Sequence, residues 1–520
     1  MKKIFTMFLA VIMLVSVFAA CQKDPEPSAT PTPSQNQGDP SASENSPSPS
    51  GQTPSPTPSE SGKTYPSLSG IDLGEKTITI ISRKHDWFRD EVSVENSGDG
   101  DPIKNAIFQR NLDTERILNC ELENVMIDNG SDGDYCVVKK VETTLGPDCP
   151  YQIISNSAYT SFEYTTRGIV QDLANIDTLR LDEGYWSHYF NEEASFGDAQ
   201  YYATGAISLS LRRFIFVTFF NKALAESHGF DNLYDVVKDK EWTLDYQYNV
   251  IQNTYDDVDT DGEHSEADFY GLVTDTHICV DPYWAACNVE VLKKNRDTNT
   301  YYWNTDEAAL TKMDSVLKKI QTLYYDSGST YLYPGMTDDA EQDLIRKKFT
   351  SAETIFCTLR LLEVESEDFR KMTDKYGILP IPKYDEDQED YYSHAHDQYT
   401  VYGIISSVPD GLLDDMGSVL ECMAIESYNT VTPAYFEVAL KGKYSKDVES
   451  WEMLDMIVNN LKPNGGSLYT ISLNDPTQSL RNATKNASTT ISTSVFGKFQ
   501  MAMYKKKLEK LEADLNALVR

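Results

Sequence analysis

The sequence predicts a mixed α/β protein with two lobes, and three observations carry this prediction. The chain has 520 residues, which is enough for two substantial hydrophobic cores. Between residues 76 and 154, β-branched segments typical of strands alternate with segments of helical periodicity. The apolar stretch Tyr201–Lys222 separates these elements from a second set, which indicates that the chain crosses there from one lobe to the other.

The first lobe is predicted to be a parallel sheet covered by helices. Its elements, in order, are the strand Lys76–Ser82, the helix Ile103–Asn119, the strand Leu122–Ile127, the helix Tyr135–Leu145 and the strand Tyr151–Ile154. Ligands of such sheets contact the loops at the carboxyl ends of the strands. This rule points to Arg83–Trp87 and Ser155–Tyr159 as candidate ligand-contacting loops.

The crossing stretch is interpreted as two strands, Tyr201–Ser210 and Phe214–Phe220. The elements predicted after it are the helices Lys222–Gly229, Leu244–Asn253, Glu307–Tyr324, Leu412–Tyr428 and Met501–Leu518, and the strands Phe269–Thr274 and Val401–Ser407. Thr243 is the predicted N-cap of the second of these helices. Phe356–Glu363 fits either a helix or another buried segment, and Tyr376–Pro382 is predicted to be extended because proline restrains its neighbour as well as itself.

The first 21 residues predict an export signal that ends in a lipidated cysteine. A basic start is followed by the apolar run Ile4–Val17, and small residues precede Cys21. A cysteine at the first mature position resembles the bacterial lipobox, whose thiol receives diacylglycerol, although Phe18 stands where leucine is usual. Ordinary signal cleavage beside a coincidental cysteine is the alternative. With the lipid, we expect the protein on the outer face of the bacterial cytoplasmic membrane, facing the extracellular space.

The composition of residues 22–62 predicts a tether, and the overall charge argues against nucleic acid and anionic membrane surfaces as partners. The segment 22–62 is rich in Pro, Ser and Thr and almost free of large apolar side chains, so we expect a disordered tether. The net charge is −35, which repels phosphate backbones and anionic lipid headgroups. We therefore expect no nucleic-acid partner, and membrane contact through the lipid anchor alone.

Several motifs resemble the extracellular solute-binding proteins of family 1, the sugar-type binding components of ABC importers. The resemblance is carried by FFNKALAESHG (219–229), EWTLDYQ (241–247), QRNLDTERILNCELE (109–123) and YGILPIPKYDEDQEDYYS (376–393). It implies the type II periplasmic-binding-protein fold, with two discontinuous α/β lobes joined by a hinge. The implied lobes are 63–205 plus 376–427 and 206–375 plus 428–520, with crossings near Tyr202–Ser208, Tyr376–Pro382 and Ser427–Pro433.

The resemblance also implies a function without catalysis. The protein would act as a monomer that captures a small solute, a carbohydrate by family type, between the lobes and delivers it to the transmembrane subunits of an ABC permease. The ATPase would belong to other chains, since this sequence has no GxxxxGK[ST] loop. One alternative is a secreted carbohydrate-active hydrolase, although no GxSxG or HExxH motif is present. Another is a lipoprotein that senses or adheres without transport.

Carbohydrate binding requires planar polar side chains for hydroxyl groups and aromatic platforms for sugar rings. Residues of these types near strand ends and crossings are the candidate ligand contacts: Trp87, Asn156, Tyr159, Thr204, Tyr283, Trp284, Arg360 and Tyr402. For Trp87 and Trp284, packing is the alternative role, and for Arg360 it is a structural ion pair. Trp186 and Trp242 are expected to be packing residues.

An acidic segment predicts a structural calcium site. Asp257, Asp259, Asp261, Glu263 and Asp268 place oxygen ligands at positions 1, 3, 5, 7 and 12 of a loop with glycine at position 6. The last ligand is aspartate rather than the bidentate glutamate of EF-hands, which resembles dockerin-type loops. An acidic turn without a metal is the alternative. No other cofactor is expected.

Overall fold

The computed structural model describes residues 65–85, 87–95, 100–230, 232–334, 338–441, 448–463, 465–486 and 489–518. The predicted signal segment 1–21 with its lipidation site Cys21, and the predicted tether 22–62, lie outside the described residues. All described residues belong to one compact unit, Thr57–Arg520. Among them, no helix combines the length and the apolar character needed to span a bilayer.

The strands form two larger sheets and one hairpin. They are β1 (Lys76–Lys84), β2 (Cys120–Asp128), β3 (Ile153–Ser157), β4 (Phe216–Asn221), β5 (Tyr270–Asp275), β6 (Leu292–Asn295), β7 (Thr300–Trp303), β8 (Thr330–Tyr333), β9 (Thr354–Arg360), β10 (Tyr376–Leu379) and β11 (Thr400–Ile404). The first sheet has the order β11-β3-β1-β2, the second has the order β10-β4-β9-β5-β8, and β6 pairs with β7.

The helices cover both sheets and include a long carboxyl-terminal segment. They are α1 (Arg89–Val92), α2 (Pro102–Leu118), α3 (Cys136–Thr144), α4 (Ala158–Thr165), α5 (His188–Ala194), α6 (Leu209–Arg213), α7 (Lys222–Ser227), α8 (Leu233–Lys238), α9 (Leu244–Ile251), α10 (Asp281–Ala286), α11 (Glu307–Gln321), α12 (Asp338–Thr350), α13 (Glu367–Lys371), α14 (Leu413–Glu426), α15 (Thr432–Lys441), α16 (Val448–Asn459), α17 (Gly465–Leu468), α18 (Pro476–Thr484), α19 (Ile491–Ser494) and α20 (Lys498–Leu518).

Three strands of the first sheet, β1, β3 and β11, are largely buried, whereas the edge strand β2 is largely exposed or half-buried and carries charged side chains. In β1, β2 and β3 the pairing is parallel, and β11 adds an antiparallel edge. Because successive side chains point to opposite faces, Ile80 and Ile153 enter one core cluster, while Ile81 and Ile154 enter the other. The second of these clusters continues into the second sheet, so a shared apolar core joins the two.

Two chain segments connect the sheets side by side. The chain leaves the first sheet along 203–215 and returns along 395–402, and the two segments pair at both ends through the bridges Ala203–Tyr402 and Ile215–Ala395. A third connection is helical: α14 packs on α2 beside the first sheet, and the π-helical turn Ser427–Val431 links α14 to α15. After α15, the helix α16 packs on β10 in the second sheet.

Most predicted elements are present, two interpretations of the sequence were wrong, and one left open between a helix and another buried segment is decided by the structure. Tyr201–Ser210 is not a strand: its backbone groups are divided among separate partners, with the Ala203 N–H bonded to Tyr402 and the Ala206 N–H bonded to Tyr185, so no ladder forms. Phe356–Glu363 falls largely in β9, whose residues are all buried between β4 and β5. A continuous apolar run of this kind does not distinguish strand from helix.

The second wrong interpretation concerns the return crossing, predicted near Tyr376–Pro382. The strand β10 pairs with β4 in the second sheet, so the chain is still in the second lobe at this point. The return begins only after the strand, where the N–H of Phe216 bonds to the carbonyl of His394 at 2.9 Å. The boundary at residue 376 is therefore too early, and the remaining lobe boundaries stay predictions.

Candidate functional site

The paired crossing segments are fixed by one buried carboxylate. Glu91 in α1 is 1% exposed and accepts hydrogen bonds from both crossings. The donors are the Ser210 N–H at 2.8 Å, the Ser210 hydroxyl at 2.9 Å, the Ser208 hydroxyl at 3.2 Å and the Thr400 hydroxyl at 2.7 Å. A buried carboxylate with this many donors needs no further partner. Glu91 therefore holds the two segments together beside the first sheet.

The carboxyl ends of the two sheets meet at Trp87 and Arg360. Trp87 follows β1 and is half-buried, whereas Arg360 is the last residue of β9 in the second sheet. The Arg360 guanidinium carbon lies 4.6 Å from the Trp87 ring centroid and 5.3 Å from that of Phe214. These are cation–π distances, and the contact joins the ligand-facing ends of both sheets.

Arg360 is buried without a full set of hydrogen-bond partners. Its side chain is 1% exposed, and neither Nε nor Nη1 has a hydrogen-bond partner in the described part of the chain. The carboxylate oxygen Oε1 of Glu363 is 3.8 Å from Nη2, outside hydrogen-bond range. Glu363 is itself bound by Arg346 at 2.9 Å. Two guanidinium nitrogens are thus left to bind something else.

Charged and imidazole groups surround this contact. Arg481 in α18 binds Asp281 at the start of α10, with Nε 2.9 Å from Oδ1. Burial acts to lower the pKa of Arg481, but the Asp281 carboxylate outweighs it and holds that pKa above its ordinary value. Burial, helped by the Arg360 and Arg481 cations, holds the pKa of His396 well below its ordinary value. The imidazole of His396 is therefore neutral at pH 7 and can donate and accept hydrogen bonds.

Tyr159 stands on the first-sheet side of the same region. It follows β3, and its backbone N–H bonds to the carbonyl of Asp397 at 3.0 Å. Burial, followed by the charge of Asp397, raises the pKa of Tyr159 to about 12. Its hydroxyl therefore stays protonated, and the ring adds a second aromatic surface to the groove between the sheets.

A small cavity lies near this region. It is lined by Ala158, Phe190, His394, Asp397 and residues of α17, and measures about 10 Å³. This is about the volume that holds one water molecule, far below the ~300 Å³ of a small-molecule pocket. Trp87, Tyr159 and Arg360 do not line this cavity.

The remaining candidate contacts are buried and mostly satisfied by the protein itself. Thr204 donates its hydroxyl to the Thr400 carbonyl at 2.8 Å, and the Asn156 amide nitrogen donates to Thr160 at 2.9 Å. The Tyr283 hydroxyl bonds to Thr358 at 2.8 Å. Tyr402 and Trp284 are buried in the core clusters. The structure thus brings Trp87, Tyr159 and Arg360 to the groove and places the other five candidates in the surrounding framework.

Sequence reasoning did not select His396, Asp397 or Arg481 as ligand contacts. The two neighbours His396 and Asp397 lie in the return crossing, which begins near residue 395, whereas the prediction placed its start at residue 376, 19 residues too early. Arg481 lies in a helix near the carboxyl end of the chain with no local motif around it. Its relation to Asp281, 200 residues away, is a property of the folded chain.

The predicted calcium loop gathers three of its five carboxylates. Side-chain oxygens of Asp257, Asp259 and Asp261 lie within 4.8 Å of one another. Oxygen ligands at this spacing suit a calcium ion, and the buried Oδ1 of Asp257 has no described hydrogen-bond partner. Glu263 and Asp268 do not belong to this group.

Asp268 has a different role from the one predicted. Its carboxylate accepts hydrogen bonds from the N–H groups of Ser265 at 2.8 Å and Val258 at 3.1 Å, and from the Tyr255 hydroxyl at 3.2 Å. These bonds, led by that of Ser265, hold the pKa of Asp268 below its ordinary value. Asp268 therefore orders the loop from inside, and calcium binding by the other carboxylates stays a prediction.

Comparison with known proteins identifies the fold. No model of a protein family matches the chain, and no curated protein matches it either. Solved structures do match. The galacto-N-biose-/lacto-N-biose I-binding protein of the ABC transporter from Bifidobacterium longum, in complex with lacto-N-biose, is 12% identical with a TM-score of 0.51, over 85% of this chain and 98% of that one.

Two further structures agree. The cyclic alpha-maltosyl-1,6-maltose binding protein from Arthrobacter globiformis is 12% identical with a TM-score of 0.51, over 86% of this chain and 99% of that one. A sugar transporter from Rhizobium etli in an open conformation is 10% identical with a TM-score of 0.50, over 85% and 99%. At such identities the likeness establishes fold alone. The chain has the two-lobed α/β fold of the solute-binding proteins of ABC transporters, as its sequence predicted.

Proposed function

We propose that this protein captures a carbohydrate in the groove between its two sheets and delivers it to an ABC import permease. The observation that carries the proposal is the contact of Trp87 with Arg360 across that groove, on a fold shared with sugar-binding proteins. Trp87 and Tyr159 offer aromatic surfaces for sugar rings, and Arg360 offers donors for hydroxyl oxygens.

Capture works by a shift between open and closed forms. A ligand that touches both sheets binds the closed form more tightly, so it moves the equilibrium by the difference between the two affinities. The buried contact between Trp87 and Arg360 must open before a sugar reaches the guanidinium. The paired crossings and the π-helical turn Ser427–Val431 are the places where the backbone changes direction between the sheets.

The same proposal includes the location and the partner. Cys21 carries the lipid, residues 22–62 tether the folded unit outside the membrane, and the closed form presents both lobes to the transmembrane permease subunits. Support for this part comes from the sequence pattern of residues 1–62 and from the fold. The protein itself performs no reaction on the sugar.

A binding screen tests the proposal. Full-length protein is melted with neutral and acidic oligosaccharides, amino acids and short peptides, and each hit is measured by titration calorimetry. We expect oligosaccharides alone to raise the melting temperature, and Trp87→Ala to weaken their binding. A response confined to peptides or amino acids would show that the substrate class is wrong.

Chromatography of the same mixtures separates binding from hydrolysis. We expect every bound oligosaccharide to be recovered intact after prolonged incubation. Recovery of shortened products would favour the hydrolase instead.

A further inference from the structure

Arg360 has chemistry that a neutral sugar does not satisfy. We propose that the captured carbohydrate is acidic, and that a carboxylate of a uronate residue binds Arg360 beside Trp87. This inference rests on the proposed function and specifies its substrate class.

The first argument is an incomplete counter-charge. The guanidinium of arginine stays protonated in proteins, and a buried cation is costly unless an anion compensates it. The nearest carboxylate oxygen in the described ion pairs of Arg360 belongs to Glu363, at 3.8 Å. Arg346 binds the other oxygen of Glu363 at 2.9 Å, so this carboxylate is shared with a second cation.

The second argument is the contrast with other arginines of the described chain. Arg213 is held by both oxygens of Glu365 at 2.8 Å, and Arg481 is held by Asp281. The fully buried Arg83 donates to the carbonyl of Gln398 at 3.0 Å and to Thr400 at 3.2 Å. Arg360 has no such hydrogen bond from Nε or Nη1. Arg212 also leaves Nε without a described partner, but Arg360 leaves two nitrogens unpartnered and lies at the groove.

The third argument is what surrounds the open nitrogens. The faces of Trp87 and Phe214 attract the cation and hold the guanidinium in place without using its N–H donors. His396, Arg481 and the other imidazoles near them add no negative charge, and Asp281 is bound by Arg481. Asp397 lies 3.7 Å from the His396 imidazole. Hydroxyl groups would fill the donors of Arg360, but a carboxylate also supplies its missing charge.

Matched ligands that differ in charge alone test the inference. Titration calorimetry on the full-length protein compares trigalacturonate with its methyl ester and with neutral galactotriose. It also compares xylo-oligosaccharides with and without a glucuronate branch. We expect at least one acid to bind about tenfold or more tightly than its neutral counterpart, and the preference to fall with added salt. Equal binding of acid and neutral forms would overturn the inference while leaving the proposed function standing.

Variants of Arg360 locate the effect. Arg360→Gln keeps hydrogen-bond donors but loses the charge, so we expect the acid preference to disappear while neutral sugars still bind. Arg360→Lys keeps the charge and should retain part of the preference. Arg370→Gln, an exposed loss of the same charge in α13, is the matched control and should leave the acid preference as in wild type. A preference that survives in Arg360→Gln would contradict the assignment.

Binding of no carbohydrate at all would refute the proposed function and this inference together. Should Arg360→Gln fail to fold, as judged by circular dichroism, the comparison of acid with methyl ester on the unchanged protein still decides the question.

Discussion

The crossing segments and the groove each contain a buried charged side chain, and the two side chains differ in how many hydrogen-bond partners they have. Glu91 at the crossings and Arg360 at the groove are both 1% exposed. Glu91 receives donors from Ser208, Ser210 and Thr400, whereas Arg360 leaves Nε and Nη1 without described hydrogen-bond partners. The buried carboxylate that joins the crossing segments thus has its hydrogen-bond partners within the protein. The buried guanidinium at the groove does not. The following predictions test that difference, beginning with the largest effect.

Loss of the Arg481 cation should be the most damaging change. Arg481→Leu leaves Asp281 buried without a counter-ion, so we expect the free energy of unfolding to fall by about 3–5 kcal/mol. Urea unfolding followed by circular dichroism measures it. Replacing both residues with leucine should recover most of the loss, since an apolar pair needs no compensation. If Arg481→Leu were as stable as wild type, the Arg481–Asp281 pair would not be needed for stability. Its contrast with Arg360 would then fail.

Glu91→Gln should weaken the crossings by about 2–3 kcal/mol, because an amide cannot accept all the hydrogen bonds that the charged carboxylate accepts. Urea unfolding is again the measurement. Glu121→Gln, an exposed change on β2, is the control and should cost less than about 0.5 kcal/mol. Similar losses for the two variants would mean that Glu91 does not hold the segments together.

Acid should destabilise the groove through His396. Its pKa in the folded protein lies well below the ordinary value because of burial and of Arg360, Arg481, His394 and His277. The unfolded chain therefore binds the proton more readily, and the folded state loses stability as pH falls below about 6.5, by up to about 1.4 kcal/mol per unit of pKa difference. Unfolding measured from pH 7 to pH 5 should show a shallower decline in His396→Gln.

Asn249→Gln, an exposed change in α9 that removes no titratable group, is the control for that experiment and should leave the pH dependence as it is in wild type. An unchanged profile in His396→Gln would show that other groups produce the decline.

Calcium should have a smaller effect. If Asp257, Asp259 and Asp261 hold the ion, millimolar calcium should stabilise the protein by about 0.4–1.4 kcal/mol for a site of 0.1–1 mM affinity. The melting temperature with calcium and with EDTA gives the measurement. Combined replacement of Asp257 and Asp261 by alanine should remove the difference. Identical melting of wild type in calcium and in EDTA would leave the loop as an acidic turn.

Arg360→Met should have the least effect on the ligand-free protein. Methionine keeps much of the packing on Trp87 and Phe214 while removing a cation that lacks full compensation, so we expect a change under about 1 kcal/mol of either sign. Urea unfolding without ligand measures it. If the free energy of unfolding fell as much as in Arg481→Leu, Arg360 would already be fully paired in the ligand-free protein. Arg360 would then not differ from Glu91 in this respect.

The sequence was most informative where local chemistry decides structure. Thr243 caps α9 by accepting a hydrogen bond from the N–H of Tyr246, as predicted. Trp242 is fully buried and donates to the Pro380 carbonyl at 2.9 Å, which confirms its packing role. The alternation of strands and helices predicted the first sheet for the same reason: each element follows from side chains within a few residues.

Distant contacts were beyond that reasoning. Residues 201–210 are all buried, as a core strand would be, yet their backbone partners lie in two separate segments, at 185–187 and at Tyr402. The backbone at Gly205 lies so close to Tyr185 that a Cβ atom would be 2.4 Å from the Tyr185 carbonyl oxygen. No local sequence pattern indicates this contact. Arg481 reaches the groove through tertiary packing alone. Arg360 was selected from the sequence, but its lack of partners is visible only in the folded chain.

The π-helical turn Ser427–Val431 has a mechanical consequence. It sits within an unbroken helical rod that runs from Leu413 to Lys441, so the third link between the halves is stiff along its length and weakest at one wide turn. In the proposed opening of the groove, the two halves stay joined by this rod, and a bend at that turn accommodates their separation on this side.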